Sequence, residues 1–262
     1  MSVEPLAVGA NSPYYDMVNG TPGLIGWWRM GETTGNLIDS KFTLGSAVVN
    51  GPVNITYGQP ACLNANYNID SNGAIKLNTA SANAGFNVAY VAAMETFAEI
   101  SVEFWINFTG SLSGSCLVSR YRSSPTNAAW RIIVPSTGFV VWSLFETGGN
   151  GPYITSANAV TTNAPHHFVC VYHGANKICK IYTDGVDNTG ANTGDALAGT
   201  QLRSAPSSQL DIFGIPGGLT GATVVLDEVA FYNKMLTPQQ IMDHYRSGAW
   251  GEPVGGAAVG VG

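Results

Sequence analysis

The chain has 262 residues, a length that one all-β domain can reach. Only 11% of its residues are charged, against roughly 25% in typical globular proteins, and the formal net charge is −6. Nucleic acid and anionic membranes are therefore excluded as expected partners, because both attract clusters of Lys and Arg, and the sequence contains no such run.

The first twenty residues show little periodicity, and we predict that residues 1–20 form an N-terminal arm. Tyr14 and Tyr15 would anchor this arm on a neighbouring subunit, although a frayed terminus explains the same composition. The chain begins without the basic and apolar regions of a secretory signal. We therefore expect it to stay inside a cell or to leave inside an assembled virus particle.

From Leu24 onward the sequence consists of short apolar runs separated by Gly, Asn and Pro, which is typical of strands in an antiparallel β-sandwich. The predicted strands are Leu24–Met30, Gly73–Leu77, Ile100–Phe108, Cys116–Arg120, Trp130–Val134, Phe139–Glu146, His167–Tyr172, Ile178–Asp184, Gln209–Gly214 and Thr223–Tyr232.

Two hairpins are predicted from turn residues between neighbouring runs. The first joins residues 130–134 to 139–145 through Pro135–Gly138, and the second joins residues 168–172 to 178–182.

The stretch Glu99–Asn107 alternates between apolar and polar residues, so its two faces differ. We expect a core face of Ile100, Val102, Phe104 and Ile106, and a wholly or partly solvated face of Glu99, Ser101, Glu103, Trp105 and Asn107.

One helix is predicted near the C-terminus, where Thr237 is a good N-cap, Pro238 suits the first helical position and Gln240 completes a capping box. Gly248 is expected just beyond its end. The sandwich should then span residues 21–250, followed by a flexible Gly/Ala-rich tail at 251–262.

The four cysteines, Cys62, Cys116, Cys170 and Cys179, match no zinc-binding spacing. A bridge between Cys170 and Cys179 on neighbouring strands is one interpretation, and free buried thiols are the favoured one.

Several segments, in the same order along the chain, resemble the laminin G-like jelly-roll domains of the concanavalin A-like lectin and glucanase group. They are Trp27–Glu32, Asp39–Ser40, Ser101–Ile106, His166–Gly174, Ile181–Gly185 and Leu226–Thr237. The resemblance covers residues 24 to 248 and implies an all-β jelly roll with one short C-terminal helix. Pro165 departs from it by standing where the group usually has Trp, and residues 79–98 read as an insertion.

The resemblance also raises the question of catalysis, because related laminarinase-like glycosidases carry three acids at alternate positions of one strand. Glu99 and Glu103 match the outer two acids, but Ser101 replaces the middle Asp that tunes the nucleophile. A non-catalytic strand bearing two glutamates explains the same residues. We therefore predict that the chain is not an enzyme.

Structural Ca²⁺ is a second implication of the resemblance, with Asp227 as the matching ligand and Glu32 or Asp39 nearby. The alternative is that Asp227 forms hydrogen bonds to a neighbouring strand or turn. His166 and His167 are adjacent on a strand, so they point to opposite faces and do not share a metal. We expect the four histidines to be ordinary surface or partly buried side chains.

Aromatic side chains outside the expected core are candidates for stacking on sugar rings. The candidate glycan-binding residues are Tyr121, Trp130, Trp142 and Tyr153, and Trp250 is a further option, with placement in the core or an interface as the alternative.

Three functions follow from these observations. The first is a non-enzymatic protein of the virion surface, a phage head decoration or tail-associated subunit that packs on capsid or tail subunits, forms a symmetric oligomer and adheres weakly to glycans. The second is a bacterial lectin or carbohydrate-binding module acting outside the cell or on its surface. The third is a degenerate laminarinase-like glycosidase.

Overall fold

A computed structural model of the chain describes residues 11–51, 54–68, 72–78, 85–95, 98–110, 112, 114–121, 127–147, 151–206, 208–214 and 222–251. These residues form two α-helices, α1 (Pro13–Gly20) and α2 (Pro238–Trp250), and a 3₁₀ turn at Ala92–Met94. The strands are β1 (Leu24–Trp28), β2 (Ala47–Asn50), β3 (Ile55–Gln59), β4 (Ala74–Asn78), β5 (Gly85–Val88), β6 (Glu99–Phe108), β7 (Ser115–Tyr121), β8 (Ala128–Val134), β9 (Phe139–Leu144), β10 (Tyr153–Ala159), β11 (Pro165–His173), β12 (Ile178–Thr183), β13 (Val186–Asp187), β14 (Thr189–Asn192), β15 (Leu210–Ile212) and β16 (Thr223–Tyr232).

The strands form two antiparallel sheets, which confirms the predicted β-sandwich. Sheet I has the order β13-β12-β11-β6-β16-β4-β3, with β1 paired to β16, and sheet II has the order β14-β10-β9-β8-β7-β15-β5-β2. Both predicted hairpins are present, as β8–β9 and β11–β12. The predicted insertion at 79–98 contributes β5, which pairs with β2 and β15 in sheet II.

The main core lies between the sheets, and it confirms the predicted inner face of β6. Ile100, Val102, Phe104 and Ile106 are completely buried there, together with inward side chains of sheet II. Trp130 of β8 stacks across the sandwich on Phe231 of β16, with ring centroids 5.7 Å apart.

The opposite face of β6 differs from the prediction, because two helices cover it. Ser101, Glu103 and Trp105 are buried rather than solvated, and Trp105 belongs to a second apolar cluster that includes Tyr14 of α1 and Ile241 of α2. Sheet I is therefore buried on both faces at this point.

The helix α1 occupies part of the predicted N-terminal arm. The side chain of Ser12 accepts a hydrogen bond from the backbone amide of Tyr15, and Pro13 lies at the first helical position, so the helix has a normal N-terminal cap. Tyr14 and Val18 are buried against sheet I. Residues 11–20 thus pack on their own domain, while residues 1–10 of the predicted arm lie outside the described residues.

The C-terminal helix α2 begins as predicted and ends later. Thr237 and Gln240 form the capping box. The helix continues through Gly248 to Trp250, and Gly251 adopts the left-handed conformation at its end, with φ of 67°. Gly248 serves packing instead, since a Cβ there would lie 2.6 Å from the Trp105 ring. The predicted tail at 252–262 lies outside the described residues.

All four cysteines are buried free thiols, as the favoured interpretation predicted. In the β11–β12 register Cys170 lies opposite Ile181, and Cys179 lies opposite Tyr172, so the two cysteines are not direct cross-strand partners. Among the described residues no helix is long and apolar enough to cross a membrane.

Candidate functional site

A row of polar side chains crosses the outer face of sheet II. Residues directly opposite one another on paired strands point to the same face, so the sheet register itself assembles this row. The polar row runs, strand by strand, through Asn87, Asp211, Ser119, Arg131, Ser143 and Tyr153. Beyond Asn87, the same face ends on the edge strand β2 with the apolar residue Val48, which is 52% exposed.

Hydrogen bonds fix the polar row at both its acidic and its basic parts. The amide nitrogens of Asn87 and Gln209 both donate to Oδ1 of Asp211, each over 2.5 Å. The guanidinium Nε of Arg131 lies 3.5 Å from the hydroxyl of Ser143, at the outer limit for such a bond. The shorter side chains Ser119, Ser143 and Asp211 are buried, whereas Asn87, Arg131 and Tyr153 are partly exposed.

Three aromatic rings surround the basic part of the row. Tyr121 and Phe145 have ring centroids 5.7 Å apart, and Phe145 and Tyr153 have centroids 6.3 Å apart. The guanidinium carbon of Arg131 lies 4.7 Å from the centroid of Tyr121. Tyr121 and Tyr153 are half-buried and Phe145 is buried, so the cluster presents two phenol rings and one cation at the surface.

This aromatic–arginine cluster combines the features that a sugar ligand requires. Phenol rings offer flat apolar area with a polar tip, and they lose little conformational entropy when they bind. The guanidinium donates hydrogen bonds in a fixed fork, and its contact with Tyr121 already restricts its orientation. The cluster is therefore suited to stacking on a ring while hydrogen bonding to its oxygen atoms.

The candidate glycan-binding residues divide according to strand alternation. Tyr121 and Tyr153 come together in the cluster, but Trp130 and Trp142 are completely buried between the sheets, so their prediction as sugar-stacking residues is wrong. Successive side chains of a strand point to opposite faces. Arg131 and Ser143 point outward, so Trp130, which precedes Arg131 on β8, and Trp142, which precedes Ser143 on β9, point into the core. Trp250 is 49% exposed and lies on α2.

Arg131 and Phe145 were missed by sequence reasoning. The alternation within β8 was a usable signal for Arg131, since a single cation between Trp130 and Ile132 must face away from the core. Phe145 follows the last residue of β9, and nothing in its local sequence distinguishes it from a core residue.

Glu103 lies at the centre of a second polar cluster, the Glu103 hub, which is completely buried between sheet I and the helices. Its carboxylate accepts hydrogen bonds from the hydroxyls of Tyr14 and Tyr232, each over 2.8 Å, and contacts Nε2 of His167 at 2.8 Å and Nδ1 of His244 at 2.9 Å. Burial alone would raise the pKa of Glu103, but the two imidazoles outweigh it and hold the pKa well below its usual range.

The Glu103 hub rules out the catalytic arrangement considered from the sequence. Glu103 is inaccessible to a substrate, and the Ser101 hydroxyl donates to the carbonyl of Lys234 while accepting from the amide of Leu236. Glu99 is partly exposed and accepts a backbone amide bond. These residues hold the segment before α2 in place, and the expectation that Glu103 lies on a solvated strand face is wrong.

His167 and His244 also differ from the prediction, because both are completely buried in the Glu103 hub. They come from β11 and α2, which are distant in sequence. The Nε2 atom of His244 lies 2.9 Å from the hydroxyl of Thr21, which ties the end of α1 to α2.

The carboxyl of Asp227, the candidate calcium ligand, is completely buried. Its Oδ2 accepts the backbone amide of Cys62 over 2.9 Å, which is the alternative raised from the sequence, and its buried Oδ1 has no hydrogen-bond partner among the described residues. The neighbouring Glu228 is bound by Arg29 over 2.8 Å. Burial, reinforced by Glu228, raises the pKa of Asp227 well above its usual range.

Glu32 and Asp39, the other acids considered for calcium, are engaged locally. Glu32 accepts the amide of Ile38 over 2.8 Å, and Asp39 accepts four backbone amides between residues 27 and 45. The described residues contain no group of three or more His, Cys, Asp or Glu side chains placed to hold a metal. Glu32 and Asp39 therefore form no carboxylate cluster with Asp227 in the described part of the chain, and structural Ca²⁺ stays a prediction.

Solved structures share this fold at low sequence identity. The binding domain of Paraclostridial Mosquitocidal Protein 1 superposes with a TM-score of 0.62 at 14% identity, covering 86% of this chain and 52% of that one. Trypanosoma rangeli sialidase gives 0.60 at 15% identity, covering 86% and 33%. The binding domain of Botulinum Neurotoxin DC in complex with SialylT gives 0.58 at 15% identity, covering 87% and 52%. The chain thus spans about a third to a half of these proteins.

No curated protein matches the sequence. The family model of the concanavalin A-like lectin/glucanases superfamily matches residues 70–242, which is well over half of the chain and includes β6, the β11–β12 hairpin and β16. The chain therefore belongs to the concanavalin A-like lectin/glucanase superfamily.

Proposed function

We propose that the chain is a carbohydrate-binding domain that does not cleave its ligand, and that the outer face of sheet II is its binding surface. The observation that carries this proposal is the aromatic–arginine cluster, in which Tyr121 and Tyr153 lie beside Phe145 and Arg131 is stacked on Tyr121. Rings and a cation placed this way match the apolar faces and the oxygen atoms of a sugar.

The burial of Glu103, one of the two acids considered for catalysis, supports the proposal that the chain does not hydrolyse its ligand. The superfamily includes glucanases by name, and a retaining glycosidase requires two carboxyl groups on either side of the scissile bond. Here Glu103 is completely buried and bound by four side chains. A substrate would have to displace both helices to reach it.

A glycan array with matched variants tests the binding proposal. We expect the wild-type protein to bind at least one glycan, and Tyr121→Ala and Tyr153→Ala to weaken that binding by about tenfold, since each removes a stacking ring. Tyr90→Ala is the control, because Tyr90 is 39% exposed and is not part of the cluster. An array without any bound glycan, or binding that both cluster variants retain in full, would contradict the proposal.

The finer assignment is that this domain is a subunit on the surface of a phage particle, packed on capsid or tail subunits as a homo-oligomer. It is motivated by the low charge of the sequence and by the Gly/Ala-rich tail at 251–262. Mass spectrometry of particles purified from the source should detect the chain in fixed proportion to the capsid subunit. Recovery of the chain only as a soluble, secreted monomer would overturn this assignment.

A further inference from the structure

A small cavity of about 220 Å³ opens at the edge of the sandwich where the two sheets approach each other. Asn158 at the end of β10 forms its sheet II side. Its sheet I side is formed by His166 near the start of β11, by Val186 and Asp187 of β13, and by Asn188 directly after β13. Asn158 lies five residues along β10 from Tyr153, about 17 Å on an extended strand, so this edge pocket is separate from the aromatic–arginine cluster.

A chain of hydrogen bonds orients the imidazole in the edge pocket. Nδ1 of His166 lies 2.8 Å from Oδ2 of Asp184, and the other carboxylate oxygen accepts the amide of His167 over 2.9 Å. Nε2 of His166 lies 2.6 Å from the hydroxyl of Thr161. With the ring donating to Asp184, its Nε2 accepts from Thr161 in the neutral form, so the lone pairs of Thr161 remain available as acceptors.

Hydrogen bonds also constrain the other polar side chains that line the edge pocket. The backbone and side-chain nitrogens of Asn158 both donate to Oδ1 of Asn188 over 3.0 Å, and Nδ2 of Asn188 donates to Thr183 over 3.0 Å. Asp187 accepts a hydrogen bond from Lys180 over 2.7 Å. Side chains that are already ordered lose little entropy when a ligand binds, which favours affinity for a small polar ligand.

The chemistry of this lining selects one class of ligand. Amides, hydroxyls and an imidazole alternate donors with acceptors, as the hydroxyl groups of a sugar do, while Val186 adds an exposed apolar surface at the rim. Asp187 is the one carboxylate among the lining residues, and its ion pair with Lys180 over 2.7 Å weakens its attraction for a cation. Its volume lies below the roughly 300 Å³ at which pockets for drug-sized ligands begin.

We propose that the edge pocket is a second carbohydrate site that binds one uncharged monosaccharide unit. This inference does not depend on the proposed binding surface, because the edge pocket is lined by different residues and lies at the edge of the sandwich, away from the aromatic–arginine cluster on the outer face of sheet II. Together the two sites would allow one domain to contact two separate parts of a glycan.

Nuclear magnetic resonance titration of the ¹⁵N-labelled full chain tests this proposal. The probes are the methyl glycosides of glucose, galactose, mannose and N-acetylglucosamine. We expect at least one of them to cause saturable amide shifts within residues 158–161 and 183–188. No saturable shift in these residues with any of the four probes would overturn the proposal.

Two matched variants distinguish a ligand bound in the edge pocket from a general effect of adding a surface tryptophan. Val186→Trp fills the rim without removing a hydrogen bond, and we expect it to weaken the response at least tenfold. Ile38→Trp is the control, since Ile38 is a similarly exposed β-branched residue between β1 and β2, outside both proposed sites. An unchanged response in Val186→Trp, or an equal loss in Ile38→Trp, would also overturn the proposal.

Tyr121→Ala distinguishes this proposal from the proposed function. The edge-pocket response should survive in this variant even if glycan-array binding is lost, and loss of the response would show that the pocket is not an independent site. Conversely, an edge pocket that binds a methyl glycoside while the array variants show no change would contradict only the sheet II surface.

Discussion

The outer faces of the two sheets carry similar residues and have opposite environments. On sheet I, Glu103 of β6 binds Tyr14 of α1 and His244 of α2, and Ser101 on the same face binds the segment that precedes α2. On sheet II, Arg131 and Ser143 face each other across β8 and β9, and Arg131 remains partly exposed. What covers a polar face of this β-sandwich therefore decides whether its side chains are buried in the structure or remain accessible to a ligand.

Removing the Glu103 carboxylate should produce the largest effect. Glu103→Ala leaves two tyrosine hydroxyls and two imidazoles buried without their shared partner, and we expect the free energy of unfolding to fall by about 3–5 kcal/mol. Glu99→Ala is the control on the same strand, with an expected loss of about 1 kcal/mol because Glu99 is partly exposed. Urea denaturation measures both variants, and equal losses would show that the helix-covered face is not special.

Acid should lower the stability that Glu103 contributes beneath the helices, with a smaller loss of unfolding free energy than Glu103→Ala causes. The pKa of Glu103 is lower in the folded protein than in the unfolded chain, so the folded state binds fewer protons in that range. Its contribution to stability is complete above roughly pH 5 and is lost as the pH falls further.

Comparing the wild type with Glu103→Gln separates the contribution of Glu103 to the pH dependence of stability from that of the other acids. Glu95 and Asp187 also have lowered pKa values, because hydrogen bonds outweigh their burial: those of Ser204 and Arg120 to Glu95, and those of Lys180 and Thr189 to Asp187. Both proteins should therefore lose some stability in acid. We expect the urea midpoint of the wild type to fall more steeply from pH 7 to pH 3.5 than that of Glu103→Gln. Parallel curves would mean that Glu103 does not titrate as its surroundings require.

The smallest effect on stability is expected on sheet II. Arg131→Ala removes a partly exposed side chain that stacks on Tyr121, and we expect the free energy of unfolding to change by less than about 1 kcal/mol. The same variant should weaken any glycan binding detected for the wild type. A loss of several kcal/mol would place Arg131 in a structural role and remove the contrast between the two faces.

Much of the fold was predictable because its signals are local. The alternation of Ile100, Val102 and Phe104 identified the inner face of β6, and the turn Pro135–Gly138 placed the β8–β9 hairpin. The capping box of Thr237 and Gln240 marked the start of α2. Each of these features depends on residues within a few positions of one another.

The helix α1 was not predicted, for a physical reason. It has eight residues, which is too short for stability by itself in water, so it depends on tertiary contacts such as those of Tyr14 and Val18. The outer face of β6 therefore looked solvated in the sequence, because only the tertiary structure shows that α1 lies on it.

The sequence by itself determined the strands, their inner faces, the capped C-terminal helix and membership in a β-sandwich family, because these follow from periodicity and short-range hydrogen bonding. Only the tertiary structure decided which polar residues meet. Glu103 and His244 are 141 positions apart, and Tyr121 meets Phe145 through the pairing of three strands. Burial and ligand access depend on such distant contacts, and no local pattern in the chain encodes them.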